Sequence, residues 1–394
     1  MTERLLTSTH LFAGGGGDAC GFDGSGFGVA VAVNHVTPAV ETLRAAFPSC
    51  DTRQADITKL DFRSLPRTRV LVGSPICKEV SPAGSNRAEK AQTELTVQPS
   101  PGQEGKTDWS LTRMTAYDLL RAAEVHDYDV VCGENVPRFA TTWRLFDPWL
   151  RMWAALDYHI QIVDADAAFL ADPGFPGVPQ HRRRLLFCFT HKRLKRQPDL
   201  RVRPPAECRV CGPVVALQRW AKPHARKIVH GGQSAVFVCP NRRCGHLPVT
   251  PTARPLADVL EPGLPTRRIG DGKYVHKFVP YAEETRRKVE IGLRRFGGAP
   301  FIVVLRRNCT VLGMDEPLGT ITAEGNHFAY IEPAATVDDS GLRMLSIREK
   351  ARAQGFDDDH PLRGTGTEKN RLIGNAVPVT AAGWMSRRVA EVCS

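Results

Sequence analysis

The sequence predicts an α/β fold, a mostly parallel sheet with helices on both faces, joined to a second, smaller domain. Three observations predict it. Short apolar runs alternate with helical stretches through the first half of the chain, the pattern that builds a parallel sheet through crossover helices. A glycine run, Gly14 to Gly17, follows the first apolar run, where sheets of this kind hold nucleotides. A basic, proline-rich segment with paired cysteines then interrupts the alternation, and strand-like runs return after it.

In chain order, Leu5–Phe12 reads as an apolar first strand and Val29–Val33 as the second, with a helix over Pro38–Phe47. Val70–Val72, Val130–Cys132, Ile160–Val163 and Leu185–Phe189 read as further strands, with a helix over Ser110–Glu124. Ser81–Lys106 is rich in Ser, Pro, Gly, Gln and charge. It reads as a long loop, and such loops in compact domains are functional or disordered. The chain then divides into 1–190, a first domain; 191–300, a basic second domain; and 301–394, a return to the first. The return carries strands at Phe301–Leu305 and Phe328–Ile331 and helices at Ile347–Gln354 and Ala376–Val392. No internal repeat is visible.

The 394 residues carry 53 Lys or Arg against 42 Asp or Glu, a net charge of +11, with 42% hydrophobic residues; these are ordinary globular values. No apolar run approaches the roughly 18 residues of a spanning helix, so no membrane partner is expected. The opening residues lack the basic flank and long apolar core of a secretion signal, and a cytoplasmic setting with reduced thiols is expected. The 11 cysteines, odd in number and unevenly spread, argue for metal or catalytic use over a disulfide framework. From Lys192 to Arg307 there are 25 Lys or Arg against 8 Asp or Glu, a local net of +17 that leaves −6 for the remainder. That is the footprint of a polyanion binder; the plain alternative is a solvated face.

Four segments carry candidate chemistry. His10 to Gly17 places Phe12, Ala13, Gly14, Gly15 and Gly16 directly after a strand, where glycines let the backbone approach a cofactor; a mere tight turn is the alternative. The spacing is not the dinucleotide fingerprint with its acid about 20 residues on: Asn34 and His35 end the second strand, and Asp56, before Ile57, is the next acid. Cys77 stands where a strand opens into the long loop, beside Lys78. A thiol nucleophile needs exposure and nearby positive charge; an ordinary half-buried cysteine is the alternative. Glu134 lies just past another strand, and strand ends of one parallel sheet converge on one crevice. Gln180, Arg182 and Arg184 alternate along an extended stretch and so share a face. Separately, Cys208-x2-Cys211 and Cys239-x4-Cys244 stand about 27 residues apart, a spacing that suits a structural zinc, with His246 as a substitute ligand and unpaired structural or redox cysteines as alternatives. The basic pairs Arg242-Arg243 and Arg267-Arg268 and the run Arg286-Arg287-Lys288 are candidate phosphate contacts.

Taken in order, these motifs resemble those of the DNA cytosine methyltransferases that modify carbon 5 of the base. The family shows F-x-G-x-G-G, a P-C after a strand, E-N-V, Q-x-R-x-R, a variable recognition region, R-E-x-x-x-x-Q-G-F and G-N-A-V-P. Here they stand at Phe12–Gly17, Pro75–Cys77, Glu134–Val136, Gln180–Arg184, Arg348–Phe356 and Gly374–Pro378, and Glu316 to Ala323 resembles the family segment after the recognition region. The resemblance covers about 5–190 and 301–392, and more narrowly is similar to a subgroup of actinobacteria and their phages with a zinc-ribbon-like insert. It implies a Rossmann-like S-adenosylmethionine-dependent methyltransferase fold, with 191–300 as the target-recognition domain. It further implies S-adenosylmethionine as donor, held by Phe12, Ala13, Gly14, Gly15, Gly16, His35, Asp56, Ile57 and Asn375, and a zinc ion on Cys208, Cys211, Cys239 and Cys244. Cys77 would add to carbon 6 of a flipped-out cytosine, Glu134 would bond ring nitrogen 3, and Arg182 and Arg184 would hold the base. The implied partner is double-stranded DNA near the nucleoid, with a cognate restriction enzyme admitted and a monomer as the default.

Two departures stand out. The family's Pro-Pro-Cys-Gln is Pro75-Ile76-Cys77-Lys78 here, and the ribose-binding Glu after the second strand is replaced by His35. Three other readings remain at this level: an RNA cytosine methyltransferase, a non-catalytic zinc-containing DNA-binding protein, and, weakest, a nicotinamide oxidoreductase.

Overall fold

The computed structural model describes residues 6–75, 115–172, 176–220, 235–306 and 311–394. A seven-stranded sheet runs β3-β2-β1-β4-β5-β7-β6. Its strands are β1 (Thr7–Leu11), β2 (Gly28–Asn34), β3 (Asp51–Gln54), β4 (Val70–Gly73), β5 (Val130–Asn135), β6 (Tyr158–Asp166) and β7 (Arg183–His191). Pairing is parallel from β3 to β5, and β7 lies antiparallel to both its neighbours. The order turns outward in both directions from β1 and β4, which makes a switch point at their carboxyl ends.

Helices cover both faces, because the buried strands are apolar on both sides. On one face Leu11, Val33, Leu71, Val131, Phe187 and Phe189 pack against α3 (Thr115–His126) and α5 (Phe146–Ala155), with Trp149 and Trp153 fully buried between them. On the other, Val72, Val130, Cys132 and Leu186 meet α1 (Gly17–Asp23) and α9 (Val379–Cys393) through Phe22, Trp384 and Met385. The chain's last helix therefore packs beside its first. Gly17 permits this: a Cβ there would lie 2.1 Å from the Val377 carbonyl oxygen.

β1 differs from the apolar strand read from the sequence. Its Ser8, Thr9 and His10 are all fully buried. They are tolerated because each is hydrogen-bonded: Ser8 Oγ to His10 Nε2 at 3.0 Å, His10 Nδ1 to Asp18 at 3.1 Å, and Thr9 Oγ1 to Thr68 Oγ1 at 2.8 Å. The chain supplies this strand's stability partly through a local polar ladder.

Beyond β7 lie three smaller sheets. β8 (Pro205–Cys208), β9 (Gly212–Val215) and β12 (Thr250–Pro251) form one, and β10 (Leu217–Trp220) with β11 (Ala235–Val238) another. The third, all antiparallel, runs β13-β17-β16-β14-β15: β13 (Arg267–Arg268), β14 (Phe301–Val304), β15 (Val311–Gly313), β16 (Phe328–Glu332) and β17 (Gly341–Met344). α6 (Glu283–Phe296) packs on it through Val289 and Phe296. This sheet draws β13 and α6 from before residue 300 and its other strands from after it, so the two segments share one apolar core. α2 (Thr37–Ala46), α4 (Arg138–Thr142), α7 (Ile347–Arg352) and α8 (Gly366–Asn375) complete the set of α-helices among the described residues. Capping boxes fix the starts of α7 (Ser346 with Glu349) and α8 (Thr365 with Glu368) by satisfying first-turn N–H groups reciprocally. No helix among the described residues is long and apolar enough to cross a membrane.

Candidate active site

The site is built at the carboxyl ends of β1, β2, β3, β4 and β5. After Leu11 the chain turns sharply, with Phe12, Gly14 and Gly16 at φ values of +60°, +50° and +85°. Phe12 is the non-glycine member of this set, and its left-handed backbone is the kind of local strain that collects at functional turns. The turn is tied down from both sides. Ala13 N donates to Val33 O at 3.3 Å, and His360 Nε2 donates to Gly15 O at 2.9 Å. Burial holds the His360 imidazole below its ordinary pKa, so it acts as a neutral donor.

The next two strand ends are in register beside this turn: Asn34 pairs with Gln54, and Ala55 N donates to Asn34 O at 3.0 Å. His35 and Asp56, which follow them, are exposed. Asp56 accepts from Thr58 N at 3.1 Å and Thr58 Oγ1 at 2.8 Å, and the Thr58 hydroxyl holds its carboxyl below the usual range. It is an ionised acceptor at the site's rim. Ile57 faces inward, 4% exposed, within the main core. Asn375 is exposed at the end of α8, whose Leu372 lies beside Gly15. The expected cofactor residues therefore stand on neighbouring strand and helix ends. A glycine turn, an ionised carboxylate and exposed amide and imidazole groups suit an adenosine-bearing ligand with amino and hydroxyl donors.

Glu134 and Arg184 meet across β5 and β7. Glu134 pairs with Leu186 in the ladder, so Arg184, two residues earlier on β7, shares its face. Arg184 Nε donates to Glu134 Oε1 at 2.9 Å, with side chains 15% and 11% exposed. The main chain of β5 is tied to the end of β4: Ser74 Oγ accepts from Glu134 N at 3.2 Å, and Asn135 Nδ2 donates to Pro75 O at 3.1 Å. Cys77 follows Pro75 by two residues in the sequence but lies outside the described residues, as does Ser81–Lys106.

Arg182 is not brought to this pair. It is 2% exposed, and its guanidinium donates to the carbonyls of Ile321, Gly374 and Ala376 at 2.9 to 3.0 Å. The expected hold on the base is replaced by a clamp on the segment that carries Asn375. Gln180, which the sequence placed on one face with Arg182 and Arg184 without a role of its own, is fully buried. Its amide donates to Ala353 O and Gln354 Oε1 and accepts from Ile321 N. Thus Gln180 and Arg182 bind the returning chain while Arg184 faces Glu134. The signal available was the motif itself, whose Gln180 and Gln354 are unusual core residues unless mutually bonded.

The four expected zinc ligands converge. The sulfurs of Cys208, Cys211, Cys239 and Cys244 all lie within 4.8 Å of one another, and Cys208 and Cys244 are 3.9 Å apart. A tetrahedral zinc with bonds near 2.3 Å sets its sulfurs about 3.8 Å apart, so the donor set fits that metal. Gly212 and Gly245, both at positive φ, close the two knuckles. His246 turns away, its Nδ1 3.0 Å from Cys239 O.

Much of the expected phosphate-contacting charge is engaged within the protein. Arg286 pairs with Asp338, Arg287 with Glu284 and Arg268 with Asp339, while Lys288 is 5% exposed and donates to the carbonyls of Val304 and Arg306. Arg242 and Arg243 remain exposed.

A family model described as C-5 cytosine-specific DNA methylase matches residues 6–228 and 268–390. Among curated proteins, DNA (cytosine-5)-methyltransferase CMT2 of Oryza sativa is 45% identical over 67 residues, 16% of this chain and 5% of that protein. A type II methyltransferase of Bacillus paralicheniformis is 42% identical over 50 residues, 13% of this chain and 11% of that protein. These relatives are thus matched over a small fraction of their own length. Among solved structures, a triple variant of Spodoptera frugiperda DNMT2 superposes with a TM-score of 0.57 at 12% identity, covering 99% of this chain and all of that one; the likeness is one of fold.

Proposed function

The chain belongs to the C-5 cytosine-specific DNA methylase family, and from that premise we propose that it methylates carbon 5 of a cytosine flipped out of double-stranded DNA, through a covalent adduct with Cys77. The observation that carries this reading is the shielded Glu134–Arg184 pair, tied through Asn135 to Pro75, two residues before Cys77.

The chemistry follows from cytosine. Its carbon 5 is a weak nucleophile, and covalent addition splits one high barrier into two lower ones. The Cys77 sulfur bonds to carbon 6, and the ring electrons move toward carbon 5 and nitrogen 3. Glu134 bonds nitrogen 3 and stabilises the ring as its electron density rises. Arg184 fixes the Glu134 carboxyl through Nε and keeps its orientation. S-adenosylmethionine, the expected donor for this family, supplies an electrophilic methyl group. Loss of the carbon 5 proton to a base then restores the double bond and expels the Cys77 thiolate. The ring edge is out of reach inside a duplex, so the base must leave the stack. Phe12, Ala13, Gly14, Gly15, Gly16, His35, Asp56 and Asn375 form the donor site, with Ile57 as core beneath it and Arg182 as a positioning residue. Cys208, Cys211, Cys239 and Cys244 hold a zinc ion that staples the basic segment, which has too little apolar material to fold unaided.

Nucleoside mass spectrometry on DNA from cells expressing the protein tests this, with Cys77→Ala as control. The expected result is 5-methylcytosine in DNA only with Cys77 intact. Modification confined to RNA would overturn the acceptor, and turnover by Cys77→Ala would overturn the mechanism.

A further inference from the structure

The turn after β1 contains a peptide bond that its own sequence leaves free to rotate. Gly15 and Gly16 lie on either side of one peptide plane, and neither carries a side chain that resists its reversal. The structure fixes both edges of that plane. Gly16 N donates to Ala13 O at 2.8 Å on one side, and His360 Nε2 donates to Gly15 O at 2.9 Å on the other. Among the described residues, His360 supplies the side-chain hydrogen bond to the main chain of this turn.

The neck of the turn is held separately. His10, near the end of β1, sets its Nδ1 3.1 Å from Asp18 Oδ2 at the start of α1, and both residues are buried. That pair closes the base of the turn. Loss of the His360 bond therefore leaves the ends of the turn in place and frees its tip.

His360 is itself built into position, in the segment between α7 and α8. Its ring stacks on Phe356, with centroids 4.5 Å apart and planes at 27°. Phe356 is buried, and a Cβ on Gly17 would meet its Cζ at 3.3 Å. Arg363 N donates to Thr42 Oγ1 at 3.0 Å and ties the same segment to α2. The second ring nitrogen, Nδ1, lies 3.7 Å from Cys20 Sγ on α1. Burial pushes the Cys20 thiol up to about 12, so it keeps its proton and donates to Nδ1. The thiol thereby selects the tautomer with its hydrogen on Nε2, the form that can donate to Gly15 O.

We propose that His360 is a positioning residue for the methyl donor: its hydrogen bond, oriented by Cys20 and Phe356, locks the Gly15–Gly16 peptide plane in the form that binds S-adenosylmethionine. It acts through the turn and not on the reacting atoms. This rests on the donor-site assignment above. A turn released to sample the reversed plane binds in proportion to the fraction left competent, so the effect falls on donor affinity and not on the chemical step.

The test compares His360→Phe, which keeps a ring on Phe356 and removes the donor, with His360→Gln, whose amide keeps a donor at similar reach. Calorimetric titration of the full chain with S-adenosylhomocysteine reads affinity, and steady-state methyl transfer separates KM for the donor from kcat. His360→Phe should weaken affinity and raise KM roughly tenfold, the equivalent of one unmade hydrogen bond to a main-chain carbonyl, with kcat within about twofold of the parent. His360→Gln should recover affinity to within about threefold of the parent. Thermal unfolding of each variant checks the fold. A folded His360→Phe that binds within about twofold of the parent overturns the proposal and leaves the methylation reading standing. Equal losses in both variants overturn it as well, because packing of the ring would then account for the effect. If His360→Phe does not fold, imidazole nitrogen NMR spectra of the parent decide. The signal that His360→Gln removes should report a proton on Nε2 and should shift when S-adenosylhomocysteine binds; a proton on Nδ1, or no shift, overturns the proposal. A parent chain that binds no S-adenosylhomocysteine overturns the donor-site reading with it.

Discussion

Replacing Arg182 by Met separates a clamp from a base contact. In the structure Arg182 is 2% exposed and its guanidinium donates to three main-chain carbonyls, those of Ile321, Gly374 and Ala376. Methionine is close in length and supplies no donor. A buried carbonyl left unsatisfied costs about 1–3 kcal/mol. The burial of the guanidinium itself, no longer required, returns part of that, and the net loss is roughly 3 kcal/mol. With a urea dependence near 3 kcal/mol per molar, the unfolding midpoint should fall by about 1 M. Two of the carbonyls flank Asn375, so S-adenosylmethionine affinity should weaken too. Lysine in place of Arg182 should recover only part, because a point charge cannot span the three acceptors of a planar fork. The assay is urea denaturation followed by fluorescence, with calorimetric titration of S-adenosylhomocysteine on the same samples. A midpoint within about 0.3 M of the parent, accompanied by collapse of methyl transfer alone, would refute the clamp and return Arg182 to the base.

Three further outcomes are expected. Glu134→Gln should slow single-turnover methyl transfer by about 10²- to 10⁴-fold, and a loss of less than tenfold would remove Glu134 from the chemistry. The purified protein should carry about one zinc per chain by elemental mass spectrometry; Cys211→Ser should lose most of it and weaken duplex binding while donor binding persists, and a fully active zinc-free protein would end the metal assignment. Burial pushes the Lys350 ammonium down to about 8 from 10.5. Its charged form is therefore penalised in the folded state, and this penalty lifts as pH rises from about 8 to 10.5. The stability of Lys350→Met relative to the parent should fall across that window by roughly 2–3 kcal/mol; a difference that stays flat with pH would contradict the burial effect.

Much of the scaffold was legible because it is written in local periodicity. The strands read at Val29–Val33, Val70–Val72 and Leu185–Phe189 lie inside β2, β4 and β7, and the helix read at Pro38–Phe47 overlaps α2. β1 was legible in place but not in character: its apolar residues were expected to carry burial, and Ser8, Thr9 and His10 are buried with them. Hydrophobicity along the chain cannot reveal that partners from Asp18 and Thr68 will satisfy them.

The candidate site divides along the same line. The order of short motifs along the chain determined the family and nominated Glu134, Arg184 and the four cysteines, because strand ends and cysteine knuckles are local features. Tertiary structure alone decided what each side chain does. Arg182 and Arg184 are chemically identical and two residues apart, yet one clamps carbonyls about 140 to 190 residues further along the chain and the other meets Glu134. Arg286 and Arg287 read as candidate phosphate contacts in the sequence and are matched by Asp338 and Glu284 in the fold. Composition fixes how many donors and charges the protein has; only the packed chain fixes which acceptors reach them first, because a hydrogen bond depends on distance in space and not on separation along the sequence.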